Sequence, residues 1–196
     1  MTEPHTSPSD ASTPAHATPR DSAIEMNQLV LPTHANALGT VFGGQIMAWI
    51  DICAALAAMR HARTQCVTAS MDALDFIVPI QVGDVVNLRA MLNYVGRTSL
   101  EVGVRVEAGD PIAGSRHHAA SAYLTFVALG PDKRPTAVPP LRLGTPEERL
   151  RSEEAHARRE QRLALAAARR ALHLSHHLRE PQPAGHGVSS SAAPKD

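Results

Sequence analysis

Hydrophobic and polar positions change their spacing several times along the chain, and each change marks an element. Over residues 99–107 they alternate strictly, with Leu100, Val102, Val104 and Val106 on one face and Ser99, Glu101, Arg105 and Glu107 on the other. That pattern predicts a strand in a sheet with one buried side. Residues 118–129 repeat it, with Ala120, Ala122, Leu124, Phe126 and Ala128 in phase. Residues 44–59 are apolar almost all round, rich in helix formers and free of proline, which predicts a helix of roughly 25 Å buried on most faces. Shorter apolar runs predict strands over 26–31, 66–76 and 85–95, punctuated by Val78-Pro79, Gly83-Asp84 and Gly109-Asp110-Pro111. Strand, buried helix, then four strands in hairpin order is the layout of an α+β fold, an antiparallel sheet wrapped around one helix.

The remaining segments read differently. Residues 131–143 are proline-rich and predict an extended linker. Thr145-Pro146-Glu147-Glu148 then supplies an N-cap, a proline at the first helical position and a glutamate at the third, so a second helix should start there and run to about residue 178. Arg149, Arg151, Arg158, Arg159, Arg162, Arg169 and Arg170 give it a basic face, as suits a solvated helix packed on a neighbouring subunit. Residues 1–22 and 181–196 carry almost no large apolar side chain and are expected to be disordered tails. The division is therefore a tail over 1–22, one folded domain over 23–144, a helical extension over 145–180 and a tail over 181–196, with no internal repeat.

Composition narrows the function class. With Lys+Arg and Asp+Glu at 19 each and six aromatic residues, neither a nucleic acid nor an anionic membrane is an expected partner. No apolar run reaches the roughly 18 residues of a membrane span, and the N-terminus lacks the apolar core of a secretory signal. Cys53 and Cys66 lie in apolar segments at no framework spacing, as small buried thiols of a reducing compartment do, so a cytoplasmic protein is expected. The eleven histidines fall in tails, loops and the final helix, and no metal site is expected.

The chemistry concentrates in residues 34–51. Gly43 and Gly44 stand at the mouth of the buried helix, where a ligand can approach the backbone closely and the first-turn N–H groups lack internal acceptors. The helix dipole adds positive potential there, so this is a candidate oxyanion site. Asp51 follows two turns later on nearly the same face, the only charged residue between Gly44 and Met59. A carboxylate in such surroundings costs several kcal/mol unless it is hydrogen-bonded or used. Asn36, alone, reads as a turn-former.

The pattern Asn36-x-x-Gly39-x-x-x-Gly43-Gly44-x-x-Met47-x-x-x-Asp51 resembles the opening motif of the hotdog acyl-CoA thioesterases, a group that includes bacterial YciA-type enzymes and animal cytosolic acyl-CoA hydrolases. Further similarity lies in 66–72, 82–86, 93–99 and 138–140, so that the resemblance spans about residues 26–160. It implies a single hotdog domain and hydrolysis of fatty acyl-CoA to fatty acid and coenzyme A, with no cofactor beyond coenzyme A as part of the substrate. By the same resemblance Asn36 and Asp51 form the catalytic pair across two protomers, Gly43 and Gly44 supply backbone donors to the thioester carbonyl, and Arg97, Thr98, Ser99 and Thr68 contact coenzyme A. A guanidinium and two hydroxyls on a tight turn also suit phosphate oxygens on chemical grounds. Relatives often carry Asp or Asn where Thr40 stands, which leaves Asp51 as the general base. The group is homo-oligomeric, at least a dimer and commonly a trimer of dimers. Two other functions fit a hotdog frame: a non-catalytic acyl-CoA binder, which has no use for a carboxylate at Asp51, and a hydratase or dehydratase, which needs a helix histidine earlier than His61.

Overall fold

The structure, a computed structural model, describes residues 17–72 and 74–177. Strands β1 (Ile24–Leu29), β2 (Gln65–Met71), β3 (Asp75–Phe76), β4 (Val85–Val95), β5 (Ser99–Gly109) and β6 (His117–Leu129) form one antiparallel sheet in the order β1-β4-β5-β6-β2, with β3 beside the first half of β6. Helix α1 (Gly43–Ala62) lies against its inner face. Helix α2 (Pro146–His177) follows the sheet. Through His156 the chain forms one compact unit, and α2 from Ala157 onward forms another.

The alternation over β5 and β6 has its expected outcome. Leu100, Val102, Val104 and Val106 are at most 3% exposed, and Ala120, Ala122, Leu124, Phe126 and Ala128 are fully buried. Facing them, α1 presents Ile46, Ile50, Cys53, Ala54, Ala57 and Ala58, all fully buried. The small side chains of its second half let the helix sit close inside the curl of the sheet.

Four features depart from the sequence pattern. Glu101 belongs to the polar phase of β5 yet is only 2% exposed. It is paired across the strands with Tyr94 and accepts from the Asn93 amide at 3.4 Å, and the first turns of α2 cover this end of the outer face. Ala155 there is fully buried, and the His156 ring stands edge-on to Tyr94 at 5.7 Å. The continuous strand expected over 66–76 is instead β2 and β3. Met71 opposes Leu124 and Asp75 opposes Ser121, so one extra residue is inserted and the edge bends, as at a bulge.

Order also begins before residue 23. Pro19–Ser22 form a 3-10 turn, and the buried Ser22 hydroxyl accepts from the Leu92 N–H at 3.0 Å, beyond the last rung at which β1 pairs with β4. The tail expected over 1–22 is therefore corrected at 17–22. Residues 1–16 and 178–196 lie outside the described residues. Finally, α1 is not covered all round, because Met47, Ile52 and Leu56 are 43–51% exposed.

The start of α2 is the one written in its sequence. Thr145 Oγ1 accepts from the Glu148 N–H at 3.1 Å, and Glu148 accepts in return from the Thr145 N–H at 3.0 Å. Backbone N–H bonds from Gly144 and Thr145 hold the Glu148 carboxyl below the usual carboxylate range. On the outer face of the sheet Glu107 gathers Arg89, Arg105 and Arg116 at 2.8–3.1 Å. No helix among the described residues is long and apolar enough to cross a membrane.

Candidate active site

The mouth of α1 is an uncapped helix start. Phe42 at the N-cap makes no side-chain cap, and its carbonyl accepts from Gln45 at 2.9 Å. The N–H groups of Gly43 and Gly44 point out of the helix end without intrahelical acceptors. Aromatic rings flank both glycines. A methyl group on Gly44 would collide with the ring of Phe42, and one on Gly43 would touch the ring of Phe76 at 3.5 Å. Backbone this bare beside two rings suits a flat acyl group drawn against the helix end.

Asp51, two turns further along α1, is half-buried, and its Oδ1 accepts a 2.7 Å hydrogen bond from Thr68 Oγ1. Thr68 reaches it because β2 directs that residue inward: Cys66 pairs with Ala128 and Thr68 with Phe126, both on the helix-facing side. The register then shifts, so that Ser70 pairs with Thr125 on the other face. The resemblance implies that Thr68 contacts coenzyme A; in the structure its hydroxyl donates to the carboxylate. The period-two phase shared with Cys66 was the available signal.

Asn36 does not meet Asp51 within the chain. Its Oδ1 accepts from the N–H groups of Leu38 at 2.8 Å and Thr40 at 3.3 Å, and its amide donates to Thr40 Oγ1 at 2.9 Å. The loop 36–40 is thus wound around one side chain, and Gly39 within it adopts φ +78°, a conformation that favours glycine. His34 ties this loop to the helix. Its Nδ1 accepts from Leu31 at 3.1 Å, its carbonyl accepts from Phe42 at 2.8 Å, and its ring stands edge-on to Trp49 at 5.1 Å. Thr40 and His34 hold this loop through those contacts, which spacing rules did not single out.

Arg97, Thr98 and Ser99 occupy the turn between β4 and β5, closed by a 2.7 Å bond from Gly96 N–H to Ser99 O. The Thr98 carbonyl accepts from Ala128, whose other neighbour is Cys66, so the turn lies about two strand spacings, roughly 10 Å, from β2. The Arg97 side chain is exposed, and its carbonyl accepts from Val138 at 3.0 Å. A groove of about 280 Å³ opens beside Gly43, walled by Thr40 and Val41 on one side and by residues 76–80 on the other. Among the described residues there is no group of three His, Cys, Asp or Glu side chains arranged for a metal ion.

Comparison with known proteins bears on the family and the fold. The sequence profile of the Thioesterase superfamily matches residues 38–114. The uncharacterized acyl-CoA thioester hydrolase YkhA of Bacillus subtilis is 40% identical over 129 residues, covering 66% of this chain and 75% of that protein. The chain spans only about a quarter of the longer mouse and rat thioesterases that it also matches. Among solved structures, an apo-hexameric acyl-CoA thioesterase aligns with a TM-score of 0.74 and 41% identity, over 78% of this chain and 97% of that one. An acyl-CoA hydrolase of Staphylococcus aureus, solved with butyryl coenzyme A, coenzyme A and coenzyme A disulfide, aligns with a TM-score of 0.74 and 36% identity, over 82% and 99%. That hydrolase was also solved with alanine in place of one aspartate, one threonine and one asparagine. A curled antiparallel sheet around a glycine-mouthed helix, with this level of identity across most of a relative's length, places the chain in the thioesterase superfamily, among its hotdog acyl-CoA thioester hydrolases.

Proposed function

We propose that the chain hydrolyses acyl-CoA thioesters with Asp51 as the reactive carboxylate, and the observation that carries this is the 2.7 Å Thr68–Asp51 bond two turns inside an uncapped Gly43-Gly44 helix mouth. In the S. aureus hydrolase the substituted asparagine stands fifteen residues before the substituted aspartate, and the threonine seventeen after it. Asn36, Asp51 and Thr68 repeat both intervals. The thioester carbonyl accepts from the N–H of Gly44, with Gly43 beside it. Asp51 takes a proton from a water whose oxygen bonds to the carbonyl carbon, and the carbonyl electron pair moves to the held oxygen. Collapse of that intermediate breaks the C–S bond, and the departing thiolate takes the proton from Asp51. Thr68 orients the carboxylate throughout.

Asn36 comes to the reaction from a second protomer. Within one chain it faces Thr40, while the apolar side chains of Phe42, Met47, Ile52 and Leu56 stand exposed along α1 and β2 is an open sheet edge. A homo-oligomer, dimeric at least and assembled as a trimer of dimers, covers those surfaces, in line with the hexameric relative. Arg97, with Thr98 and Ser99, receives the phosphates of coenzyme A, which is substrate and product rather than cofactor. The protein works in the cytoplasm. Cys53 and Cys66 are free, and burial pushes both thiols up to about 11, so they stay protonated and unreactive there. A dehydratase reading finds no support in α1, because His61 lies ten residues beyond Asp51 with its ring bonded to the Pro139 carbonyl at 2.8 Å.

Release of free thiol from a series of straight-chain acyl-CoAs tests the reaction. Arg97→Ala should raise KM for acyl-CoA about tenfold, as loss of a charge-assisted contact does, and leave KM for the matching acyl-pantetheine thioester, which has no nucleotide, unchanged. An equal rise for both substrates removes Arg97 from the phosphates. A folded, oligomeric protein that releases no thiol from any acyl-CoA sinks the hydrolase assignment and favours a non-catalytic acyl-CoA binder. Thr68→Val keeps the shape of the side chain and removes its hydroxyl, so kcat should fall about 10- to 100-fold at nearly constant KM, with Thr68→Ser restoring most of it. A KM effect of the same size as the kcat effect would return Thr68 to a coenzyme A contact.

A further inference from the structure

Resting on the hydrolase reading, we propose that Arg63 and Lys133, with Arg134 beside them, bind the ribose 3′-phosphate of coenzyme A and so select acyl-CoA over thioesters that lack this group. Among the described residues these two are the only ones other than glycine with φ in the left-handed region, at 55° and 59°. Both stand where glycine or asparagine is usual. Arg63 is the C-cap of α1, its N–H donating to the Met59 carbonyl at 2.9 Å, and Lys133 closes a turn by donating to the Gly130 carbonyl at 2.9 Å. A Cβ strains that conformation, so glycine would serve the backbone better. Strain of this kind gathers at functional sites, and both residues that bear it are cations.

The fold brings them to one end of the sheet. Thr64 Oγ1, next to Arg63, donates to the Leu129 carbonyl at 2.6 Å. Leu129 ends β6, and the Gly130 N–H donates to the Arg134 carbonyl at 2.9 Å, so the turn carrying Lys133 continues directly from that strand. Past the turn, the Thr136 N–H donates to the Ala128 carbonyl at 2.9 Å and the Val138 N–H to the Arg97 carbonyl at 3.0 Å, which sets the returning segment beside the turn at Arg97. The four cations thus span about two strand spacings, roughly 10 Å. All four residues are exposed, and among the described residues none of them forms an ion pair, whereas Arg89, Arg105 and Arg116 share Glu107. Asp132, the acidic residue of the turn, accepts from the Arg134 N–H at 3.1 Å. Charge left without a partner suits an anion, and phosphate groups on the 5′ and 3′ oxygens of one ribose, about six bonds apart, lie roughly 7 Å from each other. With the diphosphate on the Arg97 turn, the 3′-phosphate falls to Arg63 and Lys133. Reach from the reactive carboxylate also fits. Arg63 follows Asp51 by twelve residues, about 18 Å along the helix axis, and the pantetheine arm between sulfur and diphosphate is about a dozen bonds, roughly 15 Å when extended.

The test compares one acyl-CoA with the same acyl ester of dephospho-CoA, which lacks only the 3′-phosphate, for wild type, Arg63→Gly, Lys133→Gly and the double variant. Affinities of CoA and dephospho-CoA for Asp51→Asn, with and without the double substitution, are taken by calorimetry. Wild type should favour the CoA ester about 20-fold or more in kcat/KM, chiefly through KM, and added salt should shrink that preference. Each single variant should lower the ratio about fivefold, and the double variant should bring it near one. Glycine removes the side chain and relieves the left-handed backbone, so melting temperature should stay near the wild-type value while the preference is lost. A ratio unchanged in the double variant, or equal losses for both esters, overturns the site and leaves hydrolysis standing. If no ester is hydrolysed, yet Asp51→Asn binds CoA more tightly than dephospho-CoA and the double substitution removes the difference, hydrolysis falls and the site stands.

Discussion

Asp51→Ala should lower kcat at least a thousandfold while the protein stays folded. The side chain is the only charge in the middle of α1, it is half-buried, and it holds one strong hydrogen bond, from Thr68 at 2.7 Å. Proton transfer by a positioned base is worth about 10²- to 10⁴-fold, and no second carboxylate lies on the helix to take over. Removing a half-buried charge from an apolar helix costs the fold little, so melting temperature and oligomeric state should match wild type. Asp51→Asn is the stricter comparison, because it keeps the shape and an acceptor for Thr68 but cannot take the proton. Both variants should be nearly inactive towards every acyl-CoA that wild type hydrolyses. Turnover within tenfold of wild type by folded Asp51→Asn would remove Asp51 from the reaction. If the carboxylate attacks the carbonyl carbon directly, a mixed anhydride forms, and water that opens it at the Asp51 carbonyl leaves label on Asp51 in a single turnover in ¹⁸O-water; label on Asp51 therefore shows direct attack, because activation of water puts label in the fatty acid alone.

Asn36→Ala should cost about 10²- to 10³-fold in kcat/KM, with the larger share in kcat. Two separable effects contribute. The side chain makes three hydrogen bonds within loop 36–40, to Leu38 and Thr40, and without them the loop beside the helix mouth loses its shape. Its proposed contact with substrate or water across the protomer boundary is the second effect. Thr40→Val probes part of the first, because it removes the hydroxyl that receives the Asn36 amide and leaves the two backbone bonds to Asn36 in place. A Thr40→Val loss of about tenfold beside a much larger Asn36→Ala loss makes the Thr40 bond the smaller part of what Asn36 does. Equal losses, with no further loss in the double variant, would make Asn36 a positioning residue only.

Much of the fold was legible because one-sided burial leaves a periodic trace. The bounds of β4, the buried phases of β5 and β6, the long apolar helix and the cap at Thr145 all follow from local spacing and side-chain type, as does the place of Asp51 two turns past a bare glycine mouth. What spacing could not carry depends on partners distant in the chain. Glu101 reads as solvent-facing, since nothing in β5 announces that the segment ending at His156 will lie over it. Ser22 reads as tail because its partner, the N–H of Leu92, is seventy residues away.

The same division runs through the site. Residue types at fixed intervals within one segment, from Asn36 through Gly43 and Gly44 to Asp51, were determined by the sequence alone, because their relation is helix geometry and loop length. Only the tertiary structure decided that the Thr68 hydroxyl donates to the Asp51 carboxylate, that the Asn36 amide donates to Thr40 within the chain, and that Phe76 stands at the glycine mouth. Each of those depends on a strand register and its bulges, which are set by packing a whole sheet edge, and a shift of one residue there sends every later side chain to the opposite face.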